Sequence, residues 1–214
     1  MRYPVPDLPA GTHREAETEV EKSRFITWIC HAPRVGSFTA LLAEARRAHP
    51  NASHHCSAFI AGPPGEQNAI GFSDDGEPGG TAGRPMFQVL EGAGLGQVGC
   101  VVIRYFGGTK LGTGGLARAY AQAVSQALVE LPLHQVTERS PLRLKVGFAG
   151  EAEARTWLES LAVPVTAAEY AADGVILTVG WPRDTAVDLG PLEARLRGRV
   201  VHLTLPAVRD TATE

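Results

Sequence analysis

The sequence predicts an α+β fold in two domains, and two observations carry this prediction. In the first 132 residues, β-rich runs alternate with segments of helical periodicity, and two glycine-rich loops each lead into a helix. From residue 141 onward, the pattern is strand, helix, strand, strand, helix, strand. A chain of 214 residues is long enough for two modest domains.

The N-terminal domain is predicted to span 15–132, after a proline-rich, flexible arm over 1–14. Ser37 is a candidate cap for its first helix, which ends at His49 because the residue before a proline disfavours helical backbone. The predicted strands of this domain are 15–20, 24–31, 55–61, 69–73 and 100–106.

Two glycine-rich loops organise this domain. The first precedes a helix near Pro85, whose missing N–H is not needed in a first helical turn. The second follows strand 100–106, and Thr113 or Gly114 is expected to cap a helix that runs to about Val129. Each helix start offers free N–H groups and a partial positive charge, so each can hold an anion. We expect the two starts to share one cleft.

The C-terminal domain is predicted to span 141–206, after a polar connection over 133–141. Its helices are expected at 151–161 and 185–197, its last strand at 200–205, and an Asp-Gly turn at 173–174 joins two strands into a hairpin. The resulting βαββαβ order is that of ferredoxin-like domains.

Composition limits the function classes. The formal net charge of −3 argues against a protein that coats nucleic acid by bulk charge, but a local basic patch remains compatible with it. Cys30, Cys56 and Cys100 form no CxxC pair, which favours a reduced, cytoplasmic setting. The N-terminus has no apolar run of signal or membrane-span length, so no membrane partner is expected. The sequence also shows no DNA-specific signal.

Several spaced motifs carry a family resemblance. The segments DDGEP, GTAGRP and RYFGGTKLGTGGLARAY, with EKSRF at 21–25 and ASHHC at 52–56, resemble the signature of the IMPACT family and its bacterial YigZ-like branch. The resemblance covers roughly residues 15–130. One position departs from it, because Gly79 stands where the family usually has serine and therefore supplies no hydroxyl.

The resemblance implies both a fold and a role. It implies an N-terminal domain similar to the second domain of ribosomal protein S5, and a C-terminal ferredoxin-like domain similar to one in elongation factor G. Eukaryotic relatives regulate translation under stress by competing for the activator of an initiation-factor kinase, and bacterial members resemble ribosome- or RNA-associated proteins. The expected partner is therefore RNA, the ribosome or a translation factor.

The candidate contacts to phosphate or nucleic acid lie in and around the two glycine loops. Arginine suits bidentate contact with phosphate oxygens, lysine acts as a point charge, and an aromatic ring can stack on a base. The predicted binding residues are Arg84, Arg104, Tyr105, Gly108, Lys110, Gly114 and Arg118, with N–H groups near Gly83 as further donors. Alternatively, the four basic side chains of this set, Arg84, Arg104, Lys110 and Arg118, pair with nearby acidic side chains in a structural ion network.

The acids of the first loop support a different hypothesis. Asp74, Asp75 and Glu77 are candidates to hold Mg²⁺ beside a bound phosphate, although DDGE also suits a solvated turn. The corresponding function is an Mg-dependent enzyme that acts on a phosphorylated small molecule or nucleotide. Apart from this possible Mg²⁺, no cofactor is expected.

Other motifs favour structural roles. His54 and Cys56 lie on one side of a predicted strand and His55 on the other, but no second ligand cluster or oriented base accompanies them. The GxGxxA spacing at 112–117 fits a dinucleotide fingerprint poorly, because a five-residue loop separates it from the preceding strand.

The favoured hypothesis is a non-enzymatic, translation-associated regulator that binds through a basic, glycine-rich cleft, with no catalytic residue assigned. A further alternative is a pure protein-binding module, in which a sheet face of the C-terminal domain docks a partner.

Overall fold

The computed structural model describes residues 1–198 and 200–203. This part of the chain confirms the mixed α+β class, with strands in several sheets and five helices. It divides into two compact units, one of Tyr3–Val136 and one that joins Met1–Arg2 to the residues from Thr137 onward. None of the described helices is long and apolar enough to cross a membrane.

The first unit is built on a five-stranded antiparallel sheet in the order β2-β3-β6-β4-β5. The first ten elements of the chain are β1 (Arg2–Pro6), β2 (Arg14–Val20), β3 (Ser23–His31), α1 (Val35–Ala48), β4 (His54–Ile60), β5 (Ile70–Ser73), α2 (Gly83–Gly92), β6 (Val98–Tyr105), α3 (Gly112–Leu128) and β7 (Leu133–Thr137).

Helices cover both faces of this sheet, because β3 and β6 are apolar on both sides. On one face, Phe38 and Leu41 of α1 pack against Trp28 and Ile103. On the other face, α2 and α3 bury their apolar sides against a second cluster, to which Phe25 contributes. When helices cover both faces of a sheet, its central strands have continuously apolar sequences, and residues 98–103 show this pattern.

Both glycine loops reach the same edge of the sheet. Strands β5 and β6 each pair antiparallel with β4, so they run in the same direction. Because α2 follows β5 and α3 follows β6, the two helices begin at one edge and pack side by side. The expected convergence of the two helix starts therefore holds at the level of the backbone.

Four local expectations need correction, and the first is the polar connection over 133–141, where Leu133–Thr137 forms β7 and β8 begins at Arg139. Residues 2–6 form β1, which pairs with β7 instead of being part of a flexible arm, and Val5 is fully buried. Ser37 lies inside α1, which begins at Val35 without a side-chain cap. Helix α3 begins at Gly112, so Thr113 and its neighbour Gly114 belong to the first turn and do not cap it.

The second unit contains a four-stranded antiparallel sheet in the order β11-β8-β10-β9. Its elements are β8 (Arg139–Val146), α4 (Glu151–Ser160), β9 (Val165–Ala171), β10 (Gly174–Pro182), α5 (Gly190–Leu196) and β11 (Val201–Leu203). Trp157 and Leu158 of α4 and Leu192 of α5 pack with the strands in one core. Helix α5 is shorter than the predicted 185–197, and residues 204–206 of the predicted domain lie outside the described residues.

Candidate functional site

The start of α2 is occupied by the carboxylate of Asp74. Its Oδ1 accepts the N–H groups of Ala82 and Gly83 at 2.9 and 2.8 Å, and its Oδ2 accepts that of Gly80 at 2.7 Å. Burial raises the pKa of Asp74, but the three donors outweigh burial and leave the pKa below its ordinary value. The N–H groups near Gly83, expected to bind phosphate, are therefore engaged by a carboxylate of the chain itself.

Asp75 joins the first glycine loop to the sheet and to α1. Its side chain accepts hydrogen bonds from the Arg46 guanidinium at 2.7 Å and from the His55 N–H at 2.6 Å. Its backbone carbonyl lies 2.8 Å from Nδ1 of His54. The backbone at Asp75 has a φ of +44°, and these bonds hold it in that left-handed conformation.

A buried ion pair joins the two glycine loops. The Arg104 guanidinium donates to Oε1 of Glu77 at 2.5 Å, and the Tyr120 hydroxyl donates to the same oxygen at 2.9 Å. Arg104 and Glu77 are only 5% and 9% exposed. Arg104 also donates to the Ser23 hydroxyl at 3.3 Å, and this hydroxyl accepts the N–H of Gly107. The cluster fixes the end of β6, where the second loop begins.

Sequence reasoning missed Ser23 and Tyr120 as members of this cluster. Both lie in the segments that carried the family resemblance, so the spacing of those segments was the available signal. Cys56 lies beside them, and its thiol donates to the Asp74 carbonyl at 3.0 Å and contacts the Tyr120 hydroxyl at 3.3 Å. Burial raises the pKa of Cys56 to about 12, which keeps the thiol protonated and favours a packing role.

The three candidate metal ligands Asp74, Asp75 and Glu77 thus each bind protein groups. Within residues 1–198 and 200–203, no group of three or more His, Cys, Asp or Glu side chains is placed to hold a metal ion. The alternative hypothesis was a structural ion network between four basic side chains and the acids of this loop. In the described part of the chain, Arg104 is the only one of the four that pairs with such an acid.

A cleft of about 260 Å³ opens beside the buried pair at the start of α3. Its floor includes Arg104, Glu77 and Leu116, which are all buried, and its rim includes the exposed residues Phe106 and Lys110. Leu111, the residue before α3, makes no side-chain cap, and no side chain of the described residues accepts from the first N–H groups of this helix. We call this feature the α3 cleft.

Three side chains give the α3 cleft its chemical character. Lys110 makes no ion pair with any described residue, so its charge is free to meet a ligand. The Nε of Arg104 is buried and has no hydrogen-bond partner among the described residues. Phe106 is half exposed, and the Arg104 guanidinium lies 5.6 Å from the centre of its ring. The arrangement combines the charge of Lys110, the paired charges of Arg104 and Glu77, and a largely apolar lining that includes the ring of Phe106.

The other predicted contacts lie elsewhere. Tyr105 points to the opposite face of the sheet, where its hydroxyl bonds with Nδ1 of His49 at 2.9 Å, so it does not reach the cleft. Arg118 lines a shallow groove between α2 and α3, and Arg84 is exposed on α2. Gly108 forms an exposed turn with a φ of +89°. Gly114 lies exposed in the first turn of α3.

The first unit is a central sheet between helical layers, with a cleft at the start of α3 beside the end of β6. Residues 21–128 match the family model of the Impact N-terminal domain. The chain belongs to the IMPACT family, as the resemblance of its motifs implied.

Known relatives share this half of the chain. The IMPACT family member YigZ of Escherichia coli (strain K12) is 50% identical over 130 residues, which is 61% of this chain and 63% of that protein. An IMPACT family member of Haemophilus influenzae is 48% identical over 128 residues, 60% of this chain and 62% of that protein. The matches thus span less than two thirds of these curated relatives.

A solved structure is similar over nearly the whole chain. It is described as the crystal structure of a hypothetical protein, with a TM-score of 0.67 and 35% sequence identity. The similarity covers 96% of this chain and 98% of that one, so it includes both compact units.

Proposed function

We propose that this protein is a non-enzymatic, translation-associated regulator in the cytoplasm that binds RNA, on the ribosome or free, through the α3 cleft. The observation that carries the proposal is the start of α3, which opens into a cleft beside the buried Arg104 and Lys110, and neither the helix start nor Lys110 has a side-chain partner within residues 1–198 and 200–203. Membership of the IMPACT family supports the assignment to translation.

The physical basis is attraction between phosphate groups and the start of α3. The first N–H groups of a helix and its dipole favour an anion, and Lys110 adds a full positive charge at the rim. A net charge of −3 limits binding by bulk charge, so the interaction is expected to be local and to involve few phosphates. The half-exposed ring of Phe106 provides a surface on which a base can stack.

We also propose finer fold assignments for the two units. The βαββαβ order of the second unit and its strand order, β11-β8-β10-β9, support a ferredoxin-like domain. The first unit would then be the part similar to the second domain of ribosomal protein S5.

RNA binding by the full chain tests the proposal. Fluorescence anisotropy with a labelled single-stranded RNA is measured across a salt series for the wild type, Lys110→Ala and Phe106→Ala. We expect Lys110→Ala to weaken binding and to reduce the salt slope by about one unit, and Phe106→Ala to weaken binding without changing that slope. Arg47→Ala, which removes an exposed cation on α1, is the matched control. Unchanged affinity and slope in Lys110→Ala would remove the α3 cleft from the proposal.

The alternative of an Mg-dependent enzyme has less geometric support. Its candidate ligands Asp74, Asp75 and Glu77 are engaged by backbone N–H groups, Arg46 and Arg104 respectively. Turnover of a phosphorylated small molecule with Mg²⁺, lost in Glu77→Gln, would support the enzyme and contradict a pure binding role.

A further inference from the structure

We infer that a groove between β5 and α2 docks an extended segment of a partner protein, in which apolar side chains alternate with lysine or arginine. We call it the β5 groove, and its lining includes Ile60, Pro64, Glu66, Ile70, Phe87 and Glu91. The inference goes beyond the proposed function, because the β5 groove and the α3 cleft have no lining residue in common.

The shape of the groove is the first argument. Its volume is about 240 Å³, below the range of about 300 Å³ upward that is typical of small-molecule sites, so it suits one or two side chains of a larger partner. One wall is a turn in which the Glu66 N–H donates to the Pro63 carbonyl at 3.3 Å. The Ala61 N–H donates to the Ala69 carbonyl at 2.7 Å and closes the loop that carries this turn. A groove held by backbone hydrogen bonds is preformed, which lowers the entropic cost of binding.

An exposed aromatic pair extends the groove along β5. Phe72 is 51% exposed, and its ring centre lies 5.7 Å from that of Phe87, which lines the groove. Ile70 lies two residues before Phe72, on the same face of the strand, and also lines the groove. The apolar surface therefore continues from the groove to Phe72, and contiguous exposed apolar surface is typical of a protein interaction site.

The charges around the groove specify the partner. Glu66 and Glu91 are exposed and line it, and no basic side chain of the described residues does so. Neither carboxylate makes an ion pair within residues 1–198 and 200–203. Arg84 lies one turn before Phe87 on α2 but does not line the groove. Two unpaired acids beside an apolar groove complement a segment with basic and apolar side chains, and they repel an acidic segment or a phosphate backbone.

The position of β5 favours an extended conformation of the partner segment. This strand is the last of its sheet, and its only strand partner in the described part of the chain is β4. Gly83 packs against the backbone of Ser73, so the open part of the edge is limited to residues 70–72. An edge strand has unpaired backbone groups, with which an extended segment can form hydrogen bonds while its alternate side chains reach the groove.

Peptide titration of the full chain tests the inference. The probe is a fluorescein-labelled heptapeptide in which lysine alternates with leucine, and two comparison peptides replace its lysines by glutamate or its leucines by serine. In fluorescence anisotropy, we expect the probe to bind about tenfold more tightly than either comparison peptide. With ¹⁵N-labelled protein, the probe should shift amide resonances of residues 60–72 and 87–91.

Variants test whether the probe binds in the groove. Glu66→Gln and Glu91→Gln should each weaken binding about two- to fivefold, as exposed ion pairs predict. Glu19→Gln, which removes an exposed carboxylate from β2 at the opposite edge of the sheet, is the matched control and should leave the affinity unchanged. Phe72→Ala should weaken binding about fivefold or more, as expected for an aromatic anchor. Phe106→Ala, which removes an equally exposed ring of the α3 cleft, should have no effect.

These outcomes are independent of RNA binding by the α3 cleft. Equal affinity for the lysine and glutamate peptides, or amide shifts confined to residues outside the β5 groove, would overturn the inference and leave the proposed function standing. No detectable binding at about 1 mM probe would overturn it as well. A protein that sediments as a dimer, and that Phe72→Ala converts to a monomer, would assign the surface to a second copy of the chain and contradict the basic partner.

Discussion

The Arg104 guanidinium and the Glu77 carboxylate meet at 2.5 Å beneath the two glycine loops, and both side chains are shielded from solvent. Glu77 belongs to the loop that leads into α2, and Arg104 belongs to the end of β6, directly before the loop that leads into α3. The pair therefore couples two segments that are 27 residues apart in the sequence. Because it forms the floor of the α3 cleft, its integrity determines the shape of that cleft.

Breaking this pair on one side should strongly destabilise the protein. Glu77→Ala leaves the buried charge of Arg104 uncompensated and removes the acceptor of Tyr120, so we expect a loss of about 3–5 kcal/mol in the free energy of unfolding. Urea denaturation measures it, and Glu91→Ala, an exposed change on α2, is the control.

A double variant tests the cause of that loss. Glu77→Leu with Arg104→Met removes both charges, and apolar replacement of a buried ion pair is often neutral or stabilising. We expect the double variant to be more stable than Glu77→Ala. A double variant that is as unstable as the single one would show that hydrogen-bond geometry, and not the unpaired charge, dominates.

The cap of α2 should make stability depend on pH in the acid range. Folding lowers the pKa of Asp74 from its ordinary value of 3.8, despite the opposing effect of burial, because Gly80, Gly83 and Ala82 donate to it. Its contribution is therefore fully present above pH 3.8 and is lost as the pH falls through the lower folded value. The melting temperatures of wild type and Asp74→Asn should differ at pH 7 and converge in acid.

The control for this titration is Asp184→Asn, which removes an exposed carboxylate of the second unit. Its melting temperature should differ little from that of the wild type at any pH. A constant gap between wild type and Asp74→Asn down to pH 2 would contradict the role of the charged carboxylate.

The sequence predicted most of the strands and helices because their apolar spacing survives in the packed structure. It missed β7, which lies in the predicted connection over 133–141, and it missed β1, since Pro4 and Pro6 conceal the alternation of the buried Tyr3 and Val5. Proline is compatible with this short two-stranded sheet because an edge position needs no further N–H donor. Local patterns therefore identified elements with a clear period and failed where proline obscured it.

The candidate site was predictable only in part, for reasons of strand register and long-range hydrogen bonding. Both helix starts reach one sheet edge, as expected, but Asp74 bonds with N–H groups eight and nine residues further on, which no local pattern indicates. Successive strand residues face opposite sides. Arg104 faces α2 and α3, so Tyr105, the next residue of the strand, faces α1. The exposed ring near the cleft is that of Phe106, which follows the end of β6.

Adjacent glycines of the second loop should tolerate alanine very differently. A Cβ at Gly107 would collide with the backbone of Lys22, whereas a Cβ at Gly108 meets open space. Gly108 has a φ of +89°, so Gly108→Ala should cost about 1–2 kcal/mol from backbone strain alone. Gly107→Ala must also displace the loop, so we expect a larger drop in melting temperature and weaker RNA binding. Equal effects of the two changes would contradict the packing of the loop on Lys22.

The three cysteines should be unreactive in the folded protein. Burial raises the pKa of Cys56 to about 12 and that of Cys30 to about 11, and it also raises the pKa of Cys100. The thiolate is the reactive form, so iodoacetamide at pH 8 should leave native protein unmodified, as judged by intact mass. Protein unfolded in urea should take up three labels, because all three thiols are free. Labelling of Cys56 in the native state at the rate of an exposed thiol would contradict its packed position beside Tyr120.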